Sequence, residues 1–125
     1  MESIKGKVIR GENIGNKQGY PTANLSGRVL VNKKINKGVY IAETLLNNEK
    51  YKSILIIGVP GIKKFKKGKV EIYLLNYRGN LYGKSISVQL IKKIRPLVFY
   101  QDHNKLLSQI RKDISIAKDY FRSDK

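Results

Sequence analysis

The sequence predicts a mainly β fold, a small closed antiparallel barrel with one helix packed on it at the C-terminus. Three observations point there. Short apolar runs, several with alternating polarity, are divided by Gly, Asn and Pro along most of the chain. A helical spacing of apolar residues occurs only after Pro96. Internal repeats, low-complexity segments and an interdomain linker are absent, so residues 1–125 read as a single domain. Closing the sheet removes the free edges on which strands aggregate.

Each element has its own justification. Ile4 to Arg10 alternates weakly and is expected to form a first strand. Gly11 to Gly19 is rich in glycine and amide side chains and is expected to be a loop. Gly38 to Leu46 reads as a strand, Asn47-Asn48-Glu49 as a hairpin turn, and Tyr51 to Ile57 as the returning strand. Val70 to Leu75 combines β-branched and aromatic residues, which suits a strand. Arg78-Gly79-Asn80 is expected to make the next tight turn. In Tyr82 to Ile94, Ile86, Val88 and Leu90 recur at period two, as in a half-buried strand. Asp102 is a good N-cap, and Leu106, Ile110, Ile114 and Ala117 then form one apolar helical face.

Composition narrows the function. Hydrophobic residues make up 41% of the chain, which is globular rather than disordered. Nothing approaches the roughly 18 apolar residues of a membrane span, and the N-terminus lacks the apolar core of a secretory signal. Cysteine is absent and His103 is the only histidine, which excludes disulfides and the zinc-hydrolase motifs. A cytoplasmic protein is expected. The net charge of +17 should attract polyanions, and makes a basic nucleic-acid-binding barrel of ribosomal or cold-shock type the rival reading. Most of the 26 basic residues are Lys, without the matched Arg or aromatic clusters of specific recognition, so no specific nucleic-acid partner is expected.

Three constellations can carry chemistry. The first is the loop with Gly11, Gly15, Lys17 and Gly19, followed by Tyr20-Pro21-Thr22-Ala23-Asn24. Glycines let backbone N–H groups approach a phosphate, and Lys17 can add a point charge. Thr22 and Asn24 both carry oxygen, and on extended backbone they share a face. Two hard neutral donors beside bound phosphates suit magnesium, which usually keeps few protein ligands. The same residue types also make ordinary turns. The second is Glu71, the only acidic residue between Glu49 and Asp102, set among apolar neighbours. Facing inward, it could accept a proton from a substrate hydroxyl; facing outward, it would be a solvated partner of nearby Lys. The third is Tyr77 to Gly83 with Ile94-Arg95-Pro96, whose aromatics could line a pocket for a planar ring or pair across a hairpin.

Taken in order, these segments resemble the riboflavin kinase family over nearly the whole chain. Gly19-Tyr20-Pro21-Thr22-Ala23-Asn24-Leu25 is similar to the family's most specific motif. Gly38-Val39-Tyr40, Ile57-Gly58, Val70 to Leu75, Leu81-Tyr82-Gly83-Lys84 and Ile94-Arg95-Pro96 resemble its later signatures. Leu106, Ile110, Asp113 and Ala117 match its final helix. The resemblance implies a six-stranded antiparallel closed barrel with a C-terminal helix. It implies transfer of phosphate from magnesium-ATP to the 5′-hydroxyl of riboflavin, giving FMN and ADP. Gly11, Gly15, Lys17, Gly19, Thr22 and Asn24 would hold the nucleotide phosphates, with Mg2+ on Thr22 and Asn24. Glu71 would be catalytic, and Tyr82 and Arg95 would meet the flavin, Arg95 from a mobile loop. It further implies small-molecule substrates, no membrane, a monomer, and a free-standing kinase without the adenylyltransferase domain that makes FAD. The chain departs from the family at Val59-Pro60-Gly61, which is shorter and lacks a Thr, at Asn76 in place of Asp, and at Gln18 in place of Leu.

Overall fold

The computed structural model describes residues 2–9, 22–59, 69–98 and 102–123. The strands are β1 (Ser3–Lys7), β2 (Thr22–Ser26), β3 (Gly38–Leu46), β4 (Glu49–Val59), β5 (Lys69–Leu74) and β6 (Ser85–Arg95). Among the described residues, a 3-10 turn covers Gly27–Leu30 and the helix α1 spans His103–Ser123. All pairings are antiparallel, in a six-stranded sheet of order β1-β6-β3-β4-β5-β2. The two outer strands approach each other where the Ile9 amide donates to the Asn24 carbonyl at 2.8 Å. The sheet is thus nearly closed into a barrel, as the sequence predicts.

Alternation along each strand sorts side chains between two cores. Ile4, Ala23, Leu25, Ala42, Leu55, Ile57, Val70, Ile72, Leu74, Ile86 and Val88 fill the barrel. At Gly6 an added Cβ would lie 2.7 Å from a methyl of Val29, so the 3-10 turn seals the barrel against a residue without a side chain. Inside, the hydroxyls of Thr44 and Ser53, both fully buried, satisfy each other at 2.9 Å. The opposite faces of β3, β4 and β5 present Val39, Ile41, Ile54, Ile56, Tyr73 and Leu75, and these receive Leu107, Ile110, Ile114 and Ala117 of α1. The helix begins as expected: Asp102 Oδ1 accepts the Asn104 amide at 2.9 Å. None of the described helices is long and apolar enough to cross a membrane.

Three local findings refine the sequence reading. Asn47 and Asn48 have φ of 51° and 66°, the left-handed pair that a two-residue hairpin turn requires, as expected. Arg78-Gly79-Asn80 is not a hairpin turn, because β5 and β6 are not neighbours. That segment crosses the barrel end instead, with Leu81 buried inside and Tyr77 stacked edge-on against Tyr51 at 5.2 Å. Finally, β6 slips twice against β3, between Val39 and Tyr40 and between Ile41 and Ala42. The slips bring Arg95 opposite Val39, on the helix side of the sheet.

Candidate active site

Antiparallel pairing sets the candidate residues side by side. On β2 and β5, Thr22 stands opposite Tyr73, and Asn24 opposite Glu71. Directly opposed residues share a face. Ala23 and Leu25 on β2, and Val70, Ile72 and Leu74 on β5, point into the barrel. Asn24, Glu71 and Tyr73 therefore lie on the outer face, in the backbone rungs Asn24–Glu71 and Thr22–Tyr73, beside the strip covered by α1. Glu71 is thus not inside the barrel. Nor is it fully solvated: it is partly buried, between the buried Asn24 on one strand and the buried Ile56 on the other. A choice between inward and solvated was too coarse, because the outer face of this barrel is itself covered along one side.

The electrostatics of this face centre on Tyr73. Its ring is 3% exposed, and it shares the outer face of β5 with Glu71, two residues away. Burial first, then the negative charges of Glu71 and Asp113, push the phenol far above its ordinary range. Asn24 is 5% exposed, and its main-chain carbonyl is committed to the Ile9 amide that joins β1 to β2. No group of three or more His, Cys, Asp or Glu that could hold a metal occurs among the described residues. The donor set at Thr22 and Asn24 is neutral oxygen. It fits magnesium in the manner of an ion that arrives with phosphates and takes few ligands from the protein.

Gly11, Gly15, Lys17 and Gly19 lie outside the described residues. Asn24 and Glu71 stand opposite each other, and Thr22 lies two residues from Asn24 on β2. Tyr82 is 52% exposed, in a turn held by the Asn80 side chain, which accepts the Tyr82 amide at 3.0 Å. The next residues dock on β1: the Gly83 amide donates to the Val8 carbonyl at 3.0 Å, and the Val8 amide to the Lys84 carbonyl at 2.8 Å. Since Ile9 follows on and bonds Asn24, the Tyr82 turn and the Asn24–Glu71 rung lie along one path across the barrel closure.

Arg95 sits elsewhere. The resemblance implies a mobile loop, but Arg95 is the last residue of β6 and is clamped to α1. Its Nε donates to Asp113 Oδ1 at 2.9 Å and its Nη2 to Oδ2 at 2.8 Å, while Nη1 reaches the Pro96 carbonyl at 3.2 Å. Gln109 Nε2 adds a third bond to the carboxylate, at 3.0 Å. Asp113 is 1% exposed, so this is a buried bidentate ion pair. Sequence reasoning missed this pairing. A signal existed for Asp113: it lies three residues from Ile110 and four from Ala117, a carboxylate on the apolar face of its own helix.

The family model described as "Flavokinase: Riboflavin kinase" matches residues 2–121. The bifunctional riboflavin kinase/FMN adenylyltransferase of Buchnera aphidicola subsp. Schizaphis graminum is 46% identical over 122 residues, 95% of this chain and 38% of that protein. An RNA-binding riboflavin kinase of Bacillus subtilis is 30% identical over 122 residues, 97% of this chain and 52% of that one. Among solved structures, a riboflavin kinase from Trypanosoma brucei shares the fold, with a TM-score of 0.62 at 21% identity, covering 96% of this chain and 79% of the other. The chain thus spans well under two thirds of the bifunctional relative. The match from residue 2 to residue 121 takes in both rungs of the outer face, the Tyr82 turn and the helix that Arg95 holds, and the chain belongs to the riboflavin kinase family.

Proposed function

We propose that this chain transfers the terminal phosphoryl group of ATP to the 5′-hydroxyl of riboflavin, giving FMN and ADP. The observation that carries the reading is the Asn24–Glu71 rung. It sets Glu71 opposite Asn24 on one face of the barrel, with Thr22 two residues along β2, in a chain of this family. Phosphoryl transfer asks a protein mainly for positioning and charge stabilisation. The hydroxyl oxygen of riboflavin attacks the γ-phosphorus, and the bond from that phosphorus to the bridging oxygen breaks, releasing ADP. Glu71 orients the hydroxyl and takes its proton late in the step, then returns it to solvent. Thr22 and Asn24 would hold magnesium together with the phosphates. The ion, when bound, supplies positive charge against the developing negative charge. Gly11, Gly15, Lys17 and Gly19 would contribute N–H groups and a cation to the phosphates. Tyr82 offers an exposed ring to the flavin, whereas Arg95, already bound to Asp113, would act through the helix it anchors.

Two tests follow from this reading. ADP release should depend on riboflavin and on magnesium. Thr22→Ala and Asn24→Ala should each raise the magnesium concentration needed for half-maximal rate and lower turnover, with the fold retained. If both variants melt far lower and their folded fraction works normally, the two residues are turn residues only. The net charge of +17 favours a second, weaker property. Nucleic acid should bind without sequence preference and dissociate steeply with salt, because Lys–phosphate contacts release counterions. A salt titration against several unrelated oligonucleotides checks this. Tight binding of one sequence at physiological salt, with no kinase activity, would favour the rival reading.

A further inference from the structure

A cavity of about 270 Å³ opens between the start of β1, the segment before β3 and the later half of β6. In the strand order β1-β6-β3-β4-β5-β2, nearly closed between β1 and β2, the β6–β3 seam lies across the barrel from the β5–β2 seam that carries Asn24 and Glu71. One wall is fixed from within: the Tyr40 ring is buried in the barrel, and its hydroxyl donates to the Asn36 carbonyl at 2.6 Å. The other wall is the slipped part of β6. The consecutive residues Leu90 to Lys93 all border the cavity, and the register shift opposite Ile41 and Ala42 falls among them. Such bulges re-aim side chains. Lys93 is laid across bare backbone: a Cβ built on Gly38 would be 2.5 Å from its Cε and 3.2 Å from its Nζ.

We propose that this cavity binds a small organic phosphate, with its charged head among Lys34, Lys92 and Lys93 and its apolar body against Ile35, Leu90 and Ile91. Three exposed lysines border the cavity against one carboxylate, Glu2. None of the three is in an ion pair among the described residues. Like charges gathered around a concavity focus a positive potential there. Lysines are compact point charges, which suit a phosphate dianion, whereas a planar carboxylate is better matched by the fork of an arginine. The volume is close to the lower end, roughly 300 Å³, of sites that take small molecules. A nucleic-acid strand would instead be expected to follow an extended basic groove with exposed aromatic rings, and the tyrosine here is buried. The site is distinct from the rung of Asn24 and Glu71 and does not depend on how that rung is read.

The test is a titration of the purified chain with phenyl phosphate, inorganic phosphate and phenol, followed by NMR of the isoleucine and leucine methyl groups at constant ionic strength. Phenyl phosphate is expected to shift the methyl signals of Ile35, Leu90 and Ile91 saturably, one molecule per chain. It should bind at least about threefold tighter than either fragment, because it uses both the charged and the apolar part of the cavity. Lys92→Gln combined with Lys93→Gln changes two exposed residues and should weaken phenyl phosphate about tenfold, with a melting curve to check the fold. Lys34→Gln, on a different segment, should weaken it about threefold by itself. Asn24→Ala, across the barrel, should leave binding within about twofold. No saturable shift of those methyls, or unchanged affinity in the lysine variants, would overturn the proposal. So would loss of binding in Asn24→Ala, which would place the probe at the nucleotide-phosphate site. A short single-stranded oligonucleotide that moves the same methyls at a lower phosphate concentration than phenyl phosphate would also overturn it, in favour of a nucleic-acid surface.

Discussion

Glu71→Gln is expected to reduce turnover by about 10²–10⁴-fold, the usual contribution of a positioned general base. The substitution keeps size and leaves an amide where the carboxylate stood, which retains hydrogen-bonding capacity. What is lost is the proton acceptor and the negative charge. Riboflavin and ATP should bind nearly as before, since neither needs that charge in the ground state. Stability should be unchanged or slightly raised, because a partly buried carboxylate carries a desolvation cost. Steady-state kinetics with binding titrations on the same samples check this. A loss in turnover below about threefold, with normal binding, would remove Glu71 from the chemistry, given what a general base is worth.

Arg95→Met should have the largest effect on stability. It deletes two bonds to a carboxylate that is 1% exposed and leaves it the bond from Gln109 among the described residues. Breaking a buried pair from one side costs about 3–5 kcal/mol, because the remaining charge stays out of water. For a domain of this size that corresponds to a fall in Tm of roughly 10–20 °C. Adding Asp113→Leu should recover much of the loss, since replacing both partners by apolar residues is often neutral. Thermal melts of the single and double variants decide it. A fall of under about 3 °C for Arg95→Met would mean the pair is screened by water and contributes little, as surface pairs do.

Much of this was legible because local chemistry and tertiary structure agree. Gly38 to Leu46 appears as a strand in sequence and structure alike, since its alternation serves two cores at once. The Asn47-Asn48 turn and the Asp102 cap are set by neighbours a few residues away. What sequence could not give was long-range pairing. Arg78-Gly79-Asn80 has the composition of a hairpin turn, yet the strands around it belong to different parts of the barrel. In Ile91-Lys92-Lys93-Ile94 the alternation fails, and only the pairing with β3 reveals two slips that carry Arg95 to the helix. The surroundings of Glu71 depended on which strand lies beside β5 and on where α1 packs, and neither is encoded locally.

The most direct test of the central claim is to incubate the purified chain with riboflavin, ATP and magnesium, then separate the flavins by chromatography. FMN should accumulate in step with ADP, one for one, and only while riboflavin, ATP and magnesium are all present. The Glu71→Gln chain run in parallel should accumulate FMN far more slowly. A folded chain that binds riboflavin and ATP but forms no FMN would contradict the account.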